Sequence, residues 1–408
     1  MILSAGNLLS AALILARNIV IARMISVEDF GIAATFALIV TIVETGTNIA
    51  VDRLVVQDQR GDRANFLSAL HAVQLGRGLI GATLVLLLAV PFSHVMGVPD
   101  LAWAYQTLAL VPLVRSIIHL DMFRAQRHMQ FAPHVISLLA GNAIALLSAW
   151  PLSLWFGDFR VMLAAVLLQQ VFSVAASHAV ANQRYRLRWD PEIARHSLTF
   201  GLPLMLNGAI MFAALHGDQM LVGSFLGMET LGWFAVAFAI TLVPTTILAN
   251  TLQSLLLPRL ADEQQKLEAF ATASRNALLV CCVAATVLGL GIAAIGPIAI
   301  KLLFGERYLD ALTVLPWLAV LQAIRLAKAG PAIIAIARGE TRDPLLANIP
   351  RLLMIPIAVF WMAQGGDVFS IISAALIGEV AALAFGCLLL LRRGVLTAPA
   401  RFRDVRHG

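Results

Sequence analysis

Nine formally charged side chains lie in the interiors of long apolar runs of this 408-residue sequence, and they carry its chemistry. Six are cations: Arg17, Arg77, Arg115, Arg325, Lys328 and Arg351. Three are anions: Glu44, Asp218 and Glu379. An ionised group in hydrocarbon costs roughly 2.5–3.5 kcal/mol on insertion scales, so such groups face a partner, water or a substrate path. The cations outnumber the acids, and a cleft with surplus positive charge draws anions and repels organic cations. Guanidinium also meets phosphate oxygens with two parallel N–H donors. The expected chemistry is binding and passage of an anion. The six cations form the substrate-binding set; the three acids serve ion coupling or as counter-charges.

The spacing refines this set. Arg325 and Lys328 stand at i, i+3, so they share one helical face and need an anion or water between them. Gly330-Pro331 follows at once and can kink that helix. Arg17 and Arg77 fall near the middle of their runs. Arg115 and Arg351 fall near an end, where the alternative to a site role is snorkelling to water. Glu44 and Glu379 suit a proton or sodium site, or the counter-charge of a nearby arginine. His119 and His216 read as helix-packing hydrogen-bonders rather than proton relays.

The elements that must position these groups are transmembrane helices. Apolar residues make up 60% of the chain and charged ones 13%, far from the balance of a soluble domain. Mean hydropathy is +0.86. A soluble enzyme, a nucleic-acid-binding domain and a disordered chain are excluded. About 20 apolar residues cross a bilayer. Twelve segments qualify: Ser4–Met24, Phe30–Ala50, Phe66–Phe92, Leu101–Leu120, Phe131–Phe156, Arg160–Ala181, Ser197–Leu226, Thr230–Leu257, Arg275–Ile300, Ala311–Ala337, Leu345–Ala363 and Val368–Leu391. The cytoplasmic loops, among them the basic run Gln183–Arg188, together with the C-terminal tail carry nineteen Lys and Arg, the opposite loops four, which places both termini in the cytoplasm. Six of the seven tryptophans, all but Trp189, map to the outer side, as interfacial indoles should. Cys281, Cys282 and Cys387 sit in apolar runs and form neither a disulfide framework nor a metal spacing. No cofactor is expected.

The chain also repeats itself. Ala22–Ile39 and Gly223–Ile240 align at a constant offset of 201 residues, matching Glu28 with Glu229, Gly31 with Gly232, Ala34 with Ala235 and Ile39 with Ile240. The same offset pairs Arg17 with Asp218, so an ion pair between the halves is the alternative to a cavity role for both. An even number of spans per copy gives both copies one orientation, related by an axis along the membrane normal. The expected fold is therefore all-α and integral to the membrane, with about 12 helices in two six-helix lobes around a central cavity. Residues 1–181 form the N-lobe, 182–196 a basic cytoplasmic linker, 197–391 the C-lobe and 392–408 a basic cytoplasmic tail.

These residues carry a family resemblance. SAGNLLSAALILARNIVIARMISVEDFGIAATFALI at the N-terminus, HGDQMLVGSFLGMETLGWFAVA in the second half and KLLFGERYLDALTVLPWLA (Lys301–Ala319) resemble the Wzx-like polysaccharide repeat-unit flippases. These belong to the multidrug/oligosaccharidyl-lipid/polysaccharide exporter superfamily. Only Met1–Leu3 precede the first span, where many such relatives carry a basic segment. The resemblance implies a flippase that moves undecaprenyl-diphosphate-linked glycans across the bacterial inner membrane by alternating access, for O-antigen, capsule or exopolysaccharide. It implies the lipid bilayer, a proton or sodium ion and a polysaccharide polymerase as partners, with no nucleic acid or nucleotide. Sugar selectivity would rest on polar residues such as Asn48, Gln106, Asn142, Gln169, Gln170, Asn207 and Gln253.

Rival readings are weaker. None of the three lysines, Lys266, Lys301 and Lys328, follows a glycine, so there is no P-loop. A glycosyltransferase or polymerase needs a large outer loop, and the longest is Lys301–Asp310. A multidrug exporter of the same superfamily calls for an acidic, aromatic cavity; aromatic residues make up 7% of the chain and cations exceed acids in the runs. A lipid II-type flippase fits a cationic cleft, though such proteins usually add two spans.

Overall fold

The apolar runs fold as helices because no other open structure satisfies every backbone N–H and C=O without water. The computed structural model describes residues 2–264, 266–340 and 342–395, with no strand among them. Most of the expected tail, 396–408, lies outside the described residues. The chain divides into two compact units: Met1–Ala235 with Leu303–Arg307, and Val236–Leu302 with Tyr308–Gly408.

The first unit holds α1 (Ile2–Met24), α2 (Val27–Gly46), α3 (Val51–Gln57), α4 (Ala64–Val95), α5 (Ala102–Thr107), α6 (Leu110–Ser116), α7 (Asp121–Arg127), α8 (Ala132–Phe156) and α9 (Arg160–Ala179). Helix α10 (Pro191–Asp262) runs from it into the second unit. The second unit continues with α11 (Leu267–Ala299), α12 (Ala311–Ala337), α13 (Asp343–Ala347), α14 (Ile349–Ala363) and α15 (Val368–Arg392). Among the described residues nine helices are long and apolar enough to cross a membrane, or eleven if two bent pairs each count as one. The expected twelve is reached only by counting α10 twice. Its 72 residues break at Gly227, between the expected seventh and eighth spans, where φ 86° and ψ 174° leave the helix for a region open essentially to glycine. The expected seventh span, Ser197–Leu226, falls in the first unit. Leu79, Leu87, Leu147, Leu290 and Ile298 are exposed, as lipid-facing side chains must be.

Two expected spans are not continuous helices. Phe30–Ala50 runs into α3 with a 45° bend, and Leu101–Leu120 into α7 with a 51° bend. At the first break Asn48 Oδ1 accepts from Ala50 N at 2.9 Å, a local turn that competes with the helical ladder. At the second, side chains take over the backbone groups the helix releases. His178 Nε2 donates to Ile117 O at 2.8 Å, His119 N donates to Ser177 Oγ at 3.0 Å, and Leu120 N donates to His71 Nε2 at 3.1 Å. The His119 ring lies against those of His71 and His178, and its Nδ1 accepts from Asp121 N.

The repeated motif contacts itself. A β-carbon on Gly31 would lie 1.8 Å from Met228 O, and one on Gly232 would lie 2.1 Å from Val27 O. Val27 and Met228 are themselves one repeat apart, so the contact is isologous: each copy offers the other the same surface. Only glycine permits backbones to approach this closely.

The chain after α9 is tied down by its backbone. Asn182 N donates to Asp121 Oδ2 at 2.7 Å, and Arg188 N to Ser68 O at 3.2 Å. Beside it, in the loop after α3, the Arg60 guanidinium hydrogen-bonded to Asp58 holds that carboxyl below the usual carboxylate range.

Candidate functional site

The second unit gathers four of the expected residues around one carboxylate. Helix α12 presents Arg325 and Lys328 from one face, α14 supplies Arg351, and α15 supplies Glu379. Arg325 Nε donates to Glu379 Oε1 at 2.8 Å and Lys328 Nζ to Glu379 Oε2 at 2.5 Å. Arg351 Nε stands 3.7 Å from Oε1. Lys328 also donates to Asn348 Oδ1 at 2.9 Å. The side chains are 9%, 19% and 1% exposed for Arg325, Lys328 and Arg351, and 3% for Glu379. The snorkelling alternative for Arg351 is therefore wrong: its guanidinium turns inward, where a carboxylate offsets part of its desolvation. Three cations converge on Glu379 within 4 Å, and their guanidinium and ammonium donors suit an oxyanion.

The first unit holds a cavity of about 190 Å³. Both helix breaks form its wall: Asn48 and Asp52 come from the first, Ile118, Leu120, Met122 and Phe123 from the second. Broken helix ends are where membrane bundles place binding sites, because irregular backbone is tolerated only against protein or a water-filled space. Helix α4 adds Gln74 and Arg77, α8 adds His134 and Ser137, and α9 adds Gln169, Gln170 and Ser173. The cavity reaches the surface at Asn48 and Arg115, both exposed.

Charge in this cavity is nearly balanced. Arg115 Nη1 donates to Glu44 Oε2 at 2.6 Å, and a smaller adjoining pocket contains both residues with Arg77. Arg77 shares the wall with Asp52 and makes long hydrogen bonds of 3.4 Å to Gln74 Oε1 and Glu44 O. Arg17 is not among the lining residues. It is buried at 8% exposure and donates to Gln169 Oε1 at 2.8 Å and to Asn18. Asp218, its counterpart across the repeat, is buried on α10 in the same unit. His216 Nδ1 pairs with Gln219 Oε1 at 3.0 Å, one turn along the same helix.

Of the expected polar residues, Asn48, Gln169 and Gln170 reach this cavity, while Asn142 is spent on Ser10 at 2.7 Å. Gln74, Ser137, Ser173 and Asn348 were missed. Gln74 had a signal, since it precedes Arg77 by one helical turn and so shares its face.

Comparison with known proteins follows this geometry. The profile of a family described as "Polysaccharide biosynthesis protein" matches residues 20–313. The chain is 23% identical over 316 residues to the lipopolysaccharide biosynthesis protein WzxC of Escherichia coli strain K12, covering 75% of this chain and 62% of that one. It is 22% identical over 319 residues to the teichuronic acid biosynthesis protein TuaB of Bacillus subtilis strain 168, covering 75% and 66%. With the succinoglycan biosynthesis transport protein ExoT of Rhizobium meliloti strain 1021 it shares 20% over 306 residues, covering 75% and 62%. The match thus spans under two thirds of each relative. Among solved structures, an inward-facing multidrug resistance MATE family transporter of the MOP superfamily superposes with a TM-score of 0.75 at 16% identity, covering 96% of each chain. The lipid II flippase MurJ, in an inward closed conformation, gives 0.68 at 16%, covering 96% of this chain and 87% of that one. These two likenesses are of fold.

Proposed function

We propose that this chain, which belongs to the polysaccharide biosynthesis protein family, is a Wzx-like flippase that carries undecaprenyl-diphosphate-linked oligosaccharide out across the bacterial inner membrane. The observation that carries the reading is the convergence of Arg325, Lys328 and Arg351 on the single carboxylate of Glu379. A diphosphate brings the oxygens and charge to take that carboxylate's place, and bidentate guanidinium suits it. Glu379 is then the counter-charge of the empty site, and its protonation would release the cations to substrate, which couples transport to protons; Glu44 and Asp218 are the other acids available to a coupling ion. The membrane potential assists, since each negative charge leaving an inside-negative cell gains about 2.3 kcal/mol per 100 mV. The lobes that alternate access follow the repeat, 1–181 and 197–391 joined by the linker 182–196, whereas the compact units divide after Ala235, and the glycan passes to a polysaccharide polymerase outside.

The reading is tested by reconstituting the protein in vesicles with fluorescently tagged, undecaprenyl-diphosphate-linked repeat units. Purified protein should speed the exposure of tagged glycan to a membrane-impermeant quencher without nucleotide, and more so under an imposed proton or sodium gradient. Exposure no faster than in protein-free vesicles refutes it. A multidrug exporter is the competing reading, and in it the three cations gathered on Glu379 would repel the organic cation it must bind.

Orientation makes a separate prediction. A single cysteine at Gln364, which is exposed, should react with an impermeant maleimide added to intact spheroplasts; one at Arg188, also exposed, should react only after lysis. The opposite pattern inverts the topology.

A further inference from the structure

The cavity of the first unit differs in chemistry from the cation cluster of the second. Its two arginines stand against two carboxylates, Glu44 at 2.6 Å from Arg115 and Asp52 on the same wall as Arg77. A balanced site gives a dianion little reason to bind. What remains on its walls is amide and hydroxyl: Asn48, Gln74, Gln169, Gln170, Ser137 and Ser173. An amide offers one acceptor and two donors, which matches the paired donor and acceptor character of sugar hydroxyls. The Phe123 and His134 rings, centroids 5.5 Å apart, add an apolar wall against which the C–H face of a pyranose can lie.

One amide is held in a defined orientation from behind the wall. Arg17 donates to Gln169 at 2.8 Å, and arginine has donors only, so the amide oxygen must be the atom facing it. The two N–H donors of Gln169 are thereby assigned to its other side. Arg17 itself is buried and absent from the lining, so its charge acts through Gln169 rather than on a ligand. Burying a guanidinium to orient one amide is costly and implies that the orientation matters.

We infer that this cavity is a glycan subsite, in which Gln169 and Gln170 donate to hydroxyl or acetamido oxygens of a sugar and Arg17 is the positioning residue that fixes the Gln169 amide. The inference rests on the flippase reading but concerns a different part of the substrate from the diphosphate. It accounts for the coincidence of both helix breaks with an amide-rich wall, since the bends turn Asn48 and Phe123 toward one space.

The experiment compares two lipids: undecaprenyl diphosphate without sugar, and the undecaprenyl-diphosphate-linked repeat unit extracted from the producing cells. Binding is measured on the full-length protein in nanodiscs. Gln169→Ala and Gln170→Ala should each weaken binding of the glycosylated lipid about five- to tenfold, the scale of one lost hydrogen bond, and leave undecaprenyl diphosphate unchanged. Arg17→Gln should weaken binding of the glycosylated lipid alone, as the Gln169 variant does, while Arg17→Lys, which keeps a donor toward the amide oxygen, should restore it. Gln170 makes none of the hydrogen bonds that hold the helices together, so its variant serves if the others fail to fold. Equal weakening of both lipids would make the cavity a head-group site and overturn the inference. No change with either lipid would overturn it as well. If the wild-type protein binds neither lipid, the flippase reading itself fails, and this one with it.

Discussion

Replacing Arg325 and Lys328 together with glutamine should cut transport of lipid-linked glycan by about a hundredfold or more. Each loses a charge-assisted hydrogen bond, worth about 1.5–3 kcal/mol, and both act on the same oxyanion. The double variant carries a second cost. It strips Glu379 of its contacts at 2.8 and 2.5 Å and leaves only Arg351 at 3.7 Å. Breaking a buried pair from one side costs about 3–5 kcal/mol, so lost transport could then reflect lost protein. The quadruple variant Arg325→Gln, Lys328→Gln, Arg351→Gln, Glu379→Gln removes every charge of the cluster and should return much of that stability. It should accumulate in the membrane yet fail to support surface polymer in a strain lacking the chromosomal gene. Polymer at the wild-type level, with protein confirmed by immunoblot, would strip the cluster of its assigned role.

Alanine at Gly31 or at Gly232 should destabilise the protein by about 3 kcal/mol, the upper end for an overpacked site. The obstacle in each case is a backbone carbonyl, Met228 O at 1.8 Å or Val27 O at 2.1 Å, which has no rotamer to move into. Because the two glycines serve one isologous contact, the costs should not add. Once either β-carbon has pushed the backbones apart, the second enters space already opened, so the double variant should melt close to the worse single one. Thermal unfolding of the purified single and double variants measures this. Single variants that melt with the wild type would refute the contact, and strictly additive losses would refute its being shared.

Much of this protein is legible without coordinates. The offset of 201 residues already paired Gly31 with Gly232, although nothing in the sequence says that the paired glycines touch. The i, i+3 spacing of Arg325 and Lys328 called for an anion, and Glu379 supplies it from 51 residues beyond Lys328. Arg17 was legible as a buried charge but not as the holder of Gln169, 152 residues away. The helix breaks at 47–50 and 117–120 were hidden by their own composition. Ile49, Ala50, Ile117 and Ile118 are as apolar as the helices they interrupt, and hydropathy records transfer from water, not the backbone angles that follow. Of the histidines at the second break only His119 was legible, as a packing residue; His71 and His178, which meet the freed backbone groups, were not.

What the chain's order of residues settled alone is that it folds within a bilayer as a duplicated helical bundle whose apolar runs contain more cations than acids. Insertion depends on free energies summed over contiguous residues, and a linear text contains that sum in full. Which charges share a partner was decided by tertiary structure: Arg115 is neutralised by Glu44, and three cations crowd onto Glu379. The Coulomb energy of a pair depends on separations of a few ångströms and on the local dielectric. Both are set when distant helices pack, so Arg77 and Arg115 stand against carboxylates at a cavity of one unit while Arg325, Lys328 and Arg351 gather on one carboxylate in the other.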